Sequence, residues 1–366
     1  MNKVKVGLVF GGKSSEHEVS LQSANNIIGA INKDKYEVVL IGIDKNGKWH
    51  TYDESSYLLN AEDPKDIKLN EFIENVALVP GIEDNQVINA SNADVLAQID
   101  VVFPIVHGAL GEDGSLQGLL RIANLPFVGS NVLSSSVCMD KDITKRLLSN
   151  AGIRVAKGFS FRKNEIKNIN YEEIIEALGV PIFIKPANQG SSVGVSRVET
   201  VEEFDKAVRI AFQYDHKILI EENIQGREIE CAVLGNEEPR ASLPGEVLSE
   251  TGFYSYESKY IDEKGAKLQI PAQLTDSVVE QIKSIAVKVF TTLECEGLAR
   301  VDVFLTDEGE IFVNEVNTLP GFTKISMYPK LWEISGIPYP DLINQLIELA
   351  LERFERDRAL KTVVFD

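Results

Sequence analysis

The segments 298-LARVDVFL-305 and 311-IFVNEVN-317 are two apolar runs of strand length, and only five polar or glycine residues separate them. Runs of this kind predict a β-hairpin. If residues 308 and 309 form a two-residue turn, the strands pair so that Asp302 lies directly opposite Glu315. Because two carboxylates that face each other on neighbouring strands repel, this arrangement favours a cation between them.

The same register extends a polar face along the hairpin. It places Arg300 opposite Asn317 on the side of the two carboxylates, while the other side helps to fill the core with Val301, Val303, Val313 and Val316. Carboxylate and amide oxygens are hard ligands that suit Mg²⁺, which usually keeps water and substrate phosphates as its other ligands. Taken alone, the pattern fits a solvent-exposed polar face equally well. A metal site therefore needs support from the rest of the chain.

Three further segments suit a ligand site, although each also has an ordinary structural interpretation. Lys185 ends an apolar run, and the loop 187-ANQGSSVG-194 after it could cradle phosphates or form a plain surface turn. The run 218-ILIEENI-224 ends in two glutamates, as many charged strand ends do. The segment 107-HGALGEDGSLQG-118 follows an apolar strand where open α/β sheets bind ligands, although an isolated histidine such as His107 is more often structural.

The N-terminal part of the chain alternates strand and helix patterns, as in βαβ units. We predict strands over residues 3–10, 36–43 and 100–106, with helices over 16–31 and 114–123. The octapeptide GLVFGGKS at 7–14 matches the P-loop expression, but the residues between its glycines mostly continue the apolar strand. The loop that would surround the phosphates is then too short, so we interpret the paired glycines as the turn after the first strand.

Composition limits the class of partner. The 366 residues include 37 Lys and Arg against 56 Asp and Glu, which gives a formal net charge of −19. Because this charge repels nucleic acid and anionic lipid, we expect small-molecule partners, no nucleic-acid binding and no membrane binding. No apolar run approaches membrane-spanning length, and three scattered cysteines do not suit a disulfide framework. These features predict a cytoplasmic protein of two or three domains.

Seven segments together resemble the D-alanine–D-alanine ligases of the ATP-grasp superfamily. They are 10-FGGKSSEHEVSL-21, 107-HGALGEDGSLQG-118, 139-MDKDITKRLL-148, 182-IFIKPANQGSSVGVS-196, 254-YSYESKY-260, 299-ARVDVF-304 and 314-NEVNTLPGFTKISMYPK-330. The resemblance covers essentially the whole chain. A chance match to all seven in this order is far less plausible than a match to one short motif.

The resemblance implies an α/β (α+β) fold of the three-domain ATP-grasp type. It divides the chain into an N-terminal Rossmann-like βαβ substrate domain (1–135), a central ATP-grasp subdomain (136–223), and a C-terminal ATP-grasp subdomain with the lid loop and the magnesium site (224–366). The implied reaction joins two D-alanines into D-alanyl-D-alanine, through D-alanyl phosphate, for peptidoglycan precursors. The implied cofactors are ATP and two Mg²⁺ ions, with Mn²⁺ as a possible substitute, and the implied assembly is a homodimer.

The resemblance also implies roles for individual residues. ATP would contact Lys141, Lys185, Ser192, Glu221, Glu222, Ile224, Glu228 and Lys259. The metal ions would bind Asp302, Glu315 and Asn317. The catalytic set would be Glu16, Ser191, Tyr260, Arg300, Gly321 and Ser326. The substrates would contact Glu16, His107, Arg300, Gly321, Ser326 and Met327.

Within these sets the resemblance makes some roles more specific. Glu16 would bind the ammonium group of the first D-alanine, and Arg300 with the Gly321 N–H would form the oxyanion site. Tyr260 stands where family members that make the dipeptide carry tyrosine, which favours D-alanine over D-lactate as the acceptor. His17 stands where the family often has arginine, so the resemblance assigns it no role.

Three different interpretations stay open. The first is a ligase of the same superfamily that uses D-lactate or D-serine as acceptor. The second is a P-loop phosphotransferase, and the third is a nucleotide-binding module without turnover. The module is disfavoured because a non-catalytic relative is expected to lose some of the residues Arg300, Asp302, Glu315 and Asn317, and all four are present.

Overall fold

The computed structural model describes residues 3–81, 85–248, 267–323, 325–361 and 364. Within these residues the chain forms three main β-sheets, each covered by helices. The predicted mixture of α and β elements is therefore confirmed. No helix among the described residues is both long enough and apolar enough to span a membrane.

The N-terminal sheet has seven strands in the order β8-β7-β6-β3-β2-β1-β9. Its region contains β1 (Val4–Gly11), α1 (His17–Ala30), β2 (Tyr36–Ile43), β3 (Trp49–Tyr52), β4 (Leu58–Leu59), β5 (Lys68–Leu69), β6 (Glu74–Leu78), β7 (Val87–Asn89), β8 (Val95–Ala97), β9 (Val101–Ile105) and α2 (Ser115–Ile122). Strands β2, β1 and β9 are parallel, as the βαβ pattern predicts. Strands β3, β6, β7 and β8 extend the sheet in antiparallel fashion.

Strand β1 rules out a P-loop at residues 7–14. The strand continues to Gly11, and the apolar residues between the two glycines of the motif are buried in it. Gly11 and Gly12 follow with φ values of +88° and +110°, and a Cβ on Gly11 would lie 2.2 Å from the Ile43 carbonyl oxygen. The sharp turn therefore requires glycine. Helix α1 then begins at His17, with Glu16 at its N-cap.

The central sheet is antiparallel and has the order β10-β13-β11-β12. Its region contains α3 (Val132–Met139), α4 (Lys141–Asn150), β10 (Gly158–Arg162), a 3₁₀ helix (Lys163–Asn168), α5 (Tyr171–Leu178), β11 (Ile182–Pro186), β12 (Ser196–Val198), α6 (Val201–Tyr214) and β13 (Lys217–Glu222). Because side chains alternate along β11, Ile182 and Ile184 enter the core beneath α6, while Phe183 and Lys185 line a cavity on the other face.

The C-terminal sheet has the order β17-β16-β14-β18-β19, and β15 also pairs with β14. Its region contains β14 (Arg227–Gly235), β15 (Arg240–Ala241), β16 (Gly245–Leu248), β17 (Lys267–Gln269), α7 (Asp276–Thr292), β18 (Gly297–Leu305), β19 (Ile311–Asn317), α8 (Met327–Ile334) and α9 (Tyr339–Arg358). Helix α9 contributes to the same hydrophobic core as β1 and β9, and Arg353 donates hydrogen bonds to the carbonyls of Phe127 and Gly129. The end of the chain thus packs on the N-terminal sheet.

The hairpin of β18 and β19 confirms the predicted pairing at the polar face, but its predicted turn is wrong. Arg300 pairs with Asn317 and Asp302 with Glu315, whereas Val303 pairs with Val313. A β-bulge next to Asp302 therefore absorbs one extra residue, and the turn contains three residues instead of two. The bulge also explains how Val313 and Val316, three positions apart, both face the core.

Candidate active site

A cavity of about 590 Å³ lies between the central sheet and the C-terminal sheet. Its apolar lining includes Phe183, Val195, Val247 and Phe304, which suits a planar base. The structure brings together in this lining seven of the residues predicted to bind ATP, namely Lys141, Lys185, Ser192, Glu221, Glu222, Ile224 and Glu228. The eighth, Lys259, lies outside the described residues.

One wall of this cavity holds a buried carboxylate between two lysines. Glu221 is 4 % exposed, and its carboxylate lies 2.6 Å from Lys185 Nζ and 2.7 Å from Lys145 Nζ. Burial works to raise the pKa of Glu221, but the two lysines outweigh it and hold the pKa below its usual value. Burial lowers the pKa of Lys145 to about 8, although Glu221 opposes the shift.

Sequence reasoning missed Lys145. Its signal was available, because Lys145 lies four positions after Lys141 on α4 and thus on the same face of that helix. The family resemblance implies that Glu221 contacts ATP partly through its backbone, which leaves its side chain available for the two lysines.

The loop after β11 connects the central region to the N-terminal region. Lys141 Nζ donates a hydrogen bond of 2.8 Å to the Gln189 carbonyl, and the Ser191 hydroxyl donates one to the Glu16 carboxylate. Ser191 and Ser192 have φ values of +53° and +59°, a left-handed conformation that costs non-glycine residues about 1–3 kcal/mol. Strain of this size is typical of functional loops.

A second cavity of about 100 Å³ adjoins the first, because Lys141 and Glu315 line both. Its lining contains most of the residues predicted for the substrates and for catalysis, namely Glu16, Ser191, Arg300, Gly321, Ser326 and Met327. Glu315 and Asn317 also line it, whereas Tyr260 lies outside the described residues. The sequence therefore predicted a set of side chains that does converge in space.

A carboxylate that sequence reasoning missed lies beside Glu16. Glu112 lines the smaller cavity and accepts a hydrogen bond of 2.7 Å from the Gly108 N–H, and a Cβ on Gly108 would lie 2.6 Å from Glu16 Oε2. Burial, and then the neighbouring charge of Glu16, hold the pKa of Glu112 well above its usual range. Its place in the glycine-rich turn 107–118 was the available signal.

The metal ligands predicted on β18 and β19 have protein partners here. Arg300 donates two hydrogen bonds of 2.7 Å to the two carboxylate oxygens of Asp302, which is 2 % exposed. Glu315 lies 3.5 Å from Lys141 Nζ. No group of three or more His, Cys, Asp and Glu side chains in the described part of the chain is arranged to hold a metal ion.

The donor chemistry nevertheless fits Mg²⁺. Asp302 and Glu315 are paired across neighbouring strands with Asn317 on the same face, so three hard oxygen ligands share one side of the hairpin. Mg²⁺ is commonly bound by one or two carboxylates, with substrate phosphates and water completing its shell. A site of this kind does not need a cluster of three charged ligands before the nucleotide binds.

The two histidines near the site both support loops. His107 is 4 % exposed, and its ring nitrogens lie 3.1 Å from the Leu319 carbonyl and 3.0 Å from Ser23 Oγ. It is not among the residues that line the smaller cavity. Burial lowers the pKa of His107 to about 4, so it is neutral near pH 7. His17 Nδ1 lies 2.8 Å from the Gly12 carbonyl, and burial likewise lowers its pKa.

Gly321 lies in the loop after β19, where the Ser326 side chain approaches its backbone closely. A Cβ on Gly321 would lie 2.8 Å from Ser326 Oγ. Ser326 in turn accepts a hydrogen bond of 3.0 Å from the Thr323 N–H. Gly321 and Arg300 both line the smaller cavity.

Two antiparallel sheets that enclose a nucleotide-sized cavity, with lysines on one side and a carboxylate-bearing hairpin on the other, define an ATP-dependent ligase of the ATP-grasp class. Residues 5–130 match the family model described as D-ala D-ala ligase N-terminus, and residues 147–348 match the one described as D-ala D-ala ligase C-terminus. The chain belongs to the D-alanine–D-alanine ligase family, and it is an ATP-dependent carbon–nitrogen ligase of that family.

Curated and solved relatives extend over the full length. The D-alanine–D-alanine ligase of Oceanobacillus iheyensis is 63 % identical over 98 % of this chain and 98 % of its own. The D-alanine–D-alanine ligase structure from Coxiella burnetii superposes with a TM-score of 0.84 at 39 % identity and covers 98 % of this chain and 97 % of its own. VanG D-Ala:D-Ser ligase from Enterococcus faecalis superposes with a TM-score of 0.83 at 36 % identity, with coverage of 95 % and 100 %.

Proposed function

We propose that this chain joins two D-alanine molecules into D-alanyl-D-alanine for peptidoglycan precursors, and that ATP drives the reaction through D-alanyl phosphate. The observation that carries the proposal is the meeting of the two cavities at Lys141 and Glu315. A nucleotide in the larger cavity can direct its terminal phosphate into the smaller one, where an amino acid binds. This adjacency is what a phosphoryl transfer to a carboxylate requires.

In the first step, the carboxylate of the first D-alanine attacks the γ-phosphorus of ATP, and the bond to the ADP oxygen breaks. Glu16 binds the ammonium group of this D-alanine, which leaves its carboxylate directed towards the phosphates. Lys141, Lys185 and the loop that contains Ser192 neutralise the phosphate charge that develops. The products of this step are D-alanyl phosphate and ADP.

In the second step, the neutral amine of the second D-alanine attacks the acyl carbon. Arg300 and the Gly321 N–H stabilise the tetrahedral oxyanion, while Ser326 and Met327 border the acceptor. The carbon–oxygen bond to phosphate then breaks, and the amine loses a proton as the peptide bond forms. Because acyl phosphates hydrolyse readily, water must be excluded. The segment predicted as the lid, residues 249–260, lies outside the described residues.

Asp302, Glu315 and Asn317 would hold two Mg²⁺ ions, or Mn²⁺ in their place, which would neutralise phosphate charge during the transfer. The nucleotide itself would rest on Glu222 and Ile224 at the base and on Glu228 at the ribose, since these residues line the larger cavity. Tyr260, together with Ser191, would link the lid to Glu16, as the family resemblance implies.

The assembly, location and domain limits are further parts of the proposal. Two large apolar side chains, Leu119 and Ile122, are 38 % and 67 % exposed one turn apart on α2, which supports a subunit contact and hence a homodimer. A cytoplasmic location agrees with the substrates. We also propose that residues 1–135, 136–223 and 224–366 form the three domains. Sedimentation of the purified chain at micromolar concentration tests the dimer.

A ligase that uses D-serine as acceptor is the second candidate, because the similarity to a D-Ala:D-Ser ligase favours D-serine over D-lactate. Phosphate release with ATP and Mg²⁺ is measured with D-alanine alone, with L-alanine, and with D-alanine plus D-serine or D-lactate. The proposal predicts release with D-alanine alone and D-alanyl-D-alanine as the main product by chromatography. Dominance of a mixed product at neutral pH would contradict the acceptor but not the ATP chemistry.

A further inference from the structure

Strand β14 brings a second carboxylate, in addition to that of Asp302, to Arg300. Glu230 pairs with Asp302 across β14 and β18, is 4 % exposed, and lines the smaller cavity. Its Oε2 lies 3.0 Å from Arg300 Nε. A buried charged residue near the start of the otherwise apolar run 229-IECAVL-234 is unusual, because burying a charge is costly unless it is paired. The two-step mechanism gives Glu230 no role.

The present pairing of Arg300 with Asp302 conflicts with the roles proposed for both residues. Both carboxylate oxygens of Asp302 accept one hydrogen bond each from Arg300, so a metal ion that binds them shares their remaining lone pairs with the guanidinium, and the two like charges repel. In the same way, Asp302 engages two of the five N–H donors of Arg300, through Nε and Nη2, which leaves fewer for an oxyanion. Substrate binding must therefore loosen this pair while Arg300 stays in place.

We propose that Glu230 is the positioning residue that makes this exchange possible, an inference that rests on the roles proposed for Arg300 and Asp302. Its carboxylate competes with Asp302 for the guanidinium, which weakens the hold of Arg300 on Asp302. When Asp302 turns towards a metal ion, the buried carboxylate of Glu230 keeps a negative charge beside the partly buried guanidinium and fixes its direction. Glu230 thus acts through Arg300 and does not contact the substrate.

The variant Glu230→Gln tests the role because it removes the charge with little change in volume. We expect Arg300 to hold Asp302 more tightly, so that Mn²⁺ binding to the ADP-saturated enzyme, followed by the free-ion EPR signal, weakens by roughly tenfold to a hundredfold, as for other residues that orient metal ligands. We expect kcat to fall by a similar factor while KM for ATP stays within about twofold. The variant Glu230→Asp, which keeps the charge, should recover part of both losses.

Two further variants separate this role from simple structural support. Glu296→Gln removes the carboxylate of another acid–arginine pair, 2.6 Å from Arg356 and away from both cavities, and should leave Mn²⁺ affinity and kcat unchanged. If Glu230 acts through Arg300, the double variant Glu230→Gln/Arg300→Lys should be no less active than Arg300→Lys alone. Additive losses would overturn the proposal.

The measurements also separate this inference from the proposed function. If Asp302→Asn binds Mn²⁺ as well as the unmodified chain does, Asp302 is not a metal ligand and the proposed metal site fails. If Asp302→Asn loses Mn²⁺ binding but Glu230→Gln keeps both Mn²⁺ affinity and kcat, only the role of Glu230 is refuted. A fall in Tm with unchanged Mn²⁺ affinity in either Glu230 variant would likewise refute it, since it would show a purely structural role.

Discussion

The two sides of the active site carry opposite charge. On the side formed by α4, β11 and β13, a cluster of two lysines and one carboxylate has a charge of +1. We call this cluster the lysine wall, and its members are Lys145, Lys185 and Glu221. On the side formed by β14, β18 and β19, a cluster of one arginine and three carboxylates has a charge of −2. We call this cluster the acidic wall, and its members are Arg300, Glu230, Asp302 and Glu315.

This difference shows how a chain with a net charge of −19 can bind a polyanion. The lysine wall attracts phosphates directly, whereas the acidic wall can face them only if a cation lies between. Before ligands bind, most of these charges are paired within their own wall, whereas Glu315 pairs with Lys141 on α4. This pairing limits the penalty for buried ions. Ligands then replace these partners. Substitutions in the acidic wall should therefore mainly affect metal binding and kcat, whereas substitutions in the lysine wall should mainly affect ATP affinity.

The largest effect is expected on the acidic wall. Glu315→Gln removes a charge but little volume, so we expect the fold to survive while metal binding weakens and kcat falls by at least about a hundredfold, in keeping with the several kcal/mol that metal ions contribute to charge stabilisation. Rates measured across a Mg²⁺ titration check this. Glu310→Gln, an exposed change in the turn before β19, is the control and should leave the rate unchanged. Normal activity of Glu315→Gln at limiting Mg²⁺ would remove Glu315 from the metal site.

The lysine wall should show its effect in nucleotide affinity. Lys185→Ala removes a charged donor from the larger cavity, and we expect the Kd for ATP to rise by roughly tenfold to a hundredfold, as the loss of a charged hydrogen bond of about 1.5–3 kcal/mol gives. Calorimetric titration measures it. Lys13→Ala, which changes the exposed lysine of the rejected P-loop motif, should leave the Kd within about twofold. The opposite result would revive the P-loop interpretation.

The sequence predicted most residues of the acidic wall because they lie on a hairpin, whose two strands are close together in the chain. The pairing of Asp302 with Glu315 depends on residues only thirteen positions apart, and strand alternation determines which side chains share a face. The turn was wrong because the bulge beside Asp302 depends on how the valines of β19 fit the core. Glu230 was missed because the pairing of β14 with β18 joins residues about seventy positions apart.

The lysine wall was recovered only in part for the same reason. Lys185 and Glu221 were predicted from the family resemblance, but the contact between them depends on the antiparallel pairing of β11 with β13. The spacing of Lys145 from Lys141 indicates that they share a face of α4, but the contact of Lys145 with Glu221 depends on where that helix packs. The place of His107 behind the cavity likewise depends on contacts with Leu319 and Ser23, which are distant in sequence.

The next prediction concerns His107, whose uncharged ring contacts the Leu319 carbonyl in the loop after β19. Its folded-state pKa of about 4 lies below the ordinary value of 6.5, so the unfolded chain binds the proton more readily between these values. Stability is therefore lost as pH falls through this window, and we expect this residue to lower the free energy of unfolding by about 2 kcal/mol between pH 8 and pH 5.

Urea unfolding of the unmodified chain and of His107→Gln at both pH values measures the difference in slope of the unfolding free energy against pH. Equal slopes would contradict the buried neutral histidine, and a selective rise in KM for D-alanine would return His107 to the substrate site.

The smallest expected effect distinguishes the two lysines of the lysine wall by pH. Because the pKa of Lys145 is about 8, Lys145 loses its charge as pH rises from 7 to 9.5. Glu221 is then balanced by Lys185 alone, which ties Lys185 to the carboxylate and removes one positive charge near the phosphates. We expect the Kd for ATP to rise about fivefold over this range, which corresponds to about 1 kcal/mol, the interaction of two unit charges about 4 Å apart in bulk water. Lys145→Arg stays charged at all these pH values and should show a flatter profile, whereas the exposed change Lys206→Arg should follow the unmodified chain. ATP binding should be measured directly, because turnover also depends on the protonation state of the acceptor's amine. If the profile of Lys145→Arg is as steep as that of the unmodified chain, the titrating group lies elsewhere and the charge of Lys145 does not control the lysine wall.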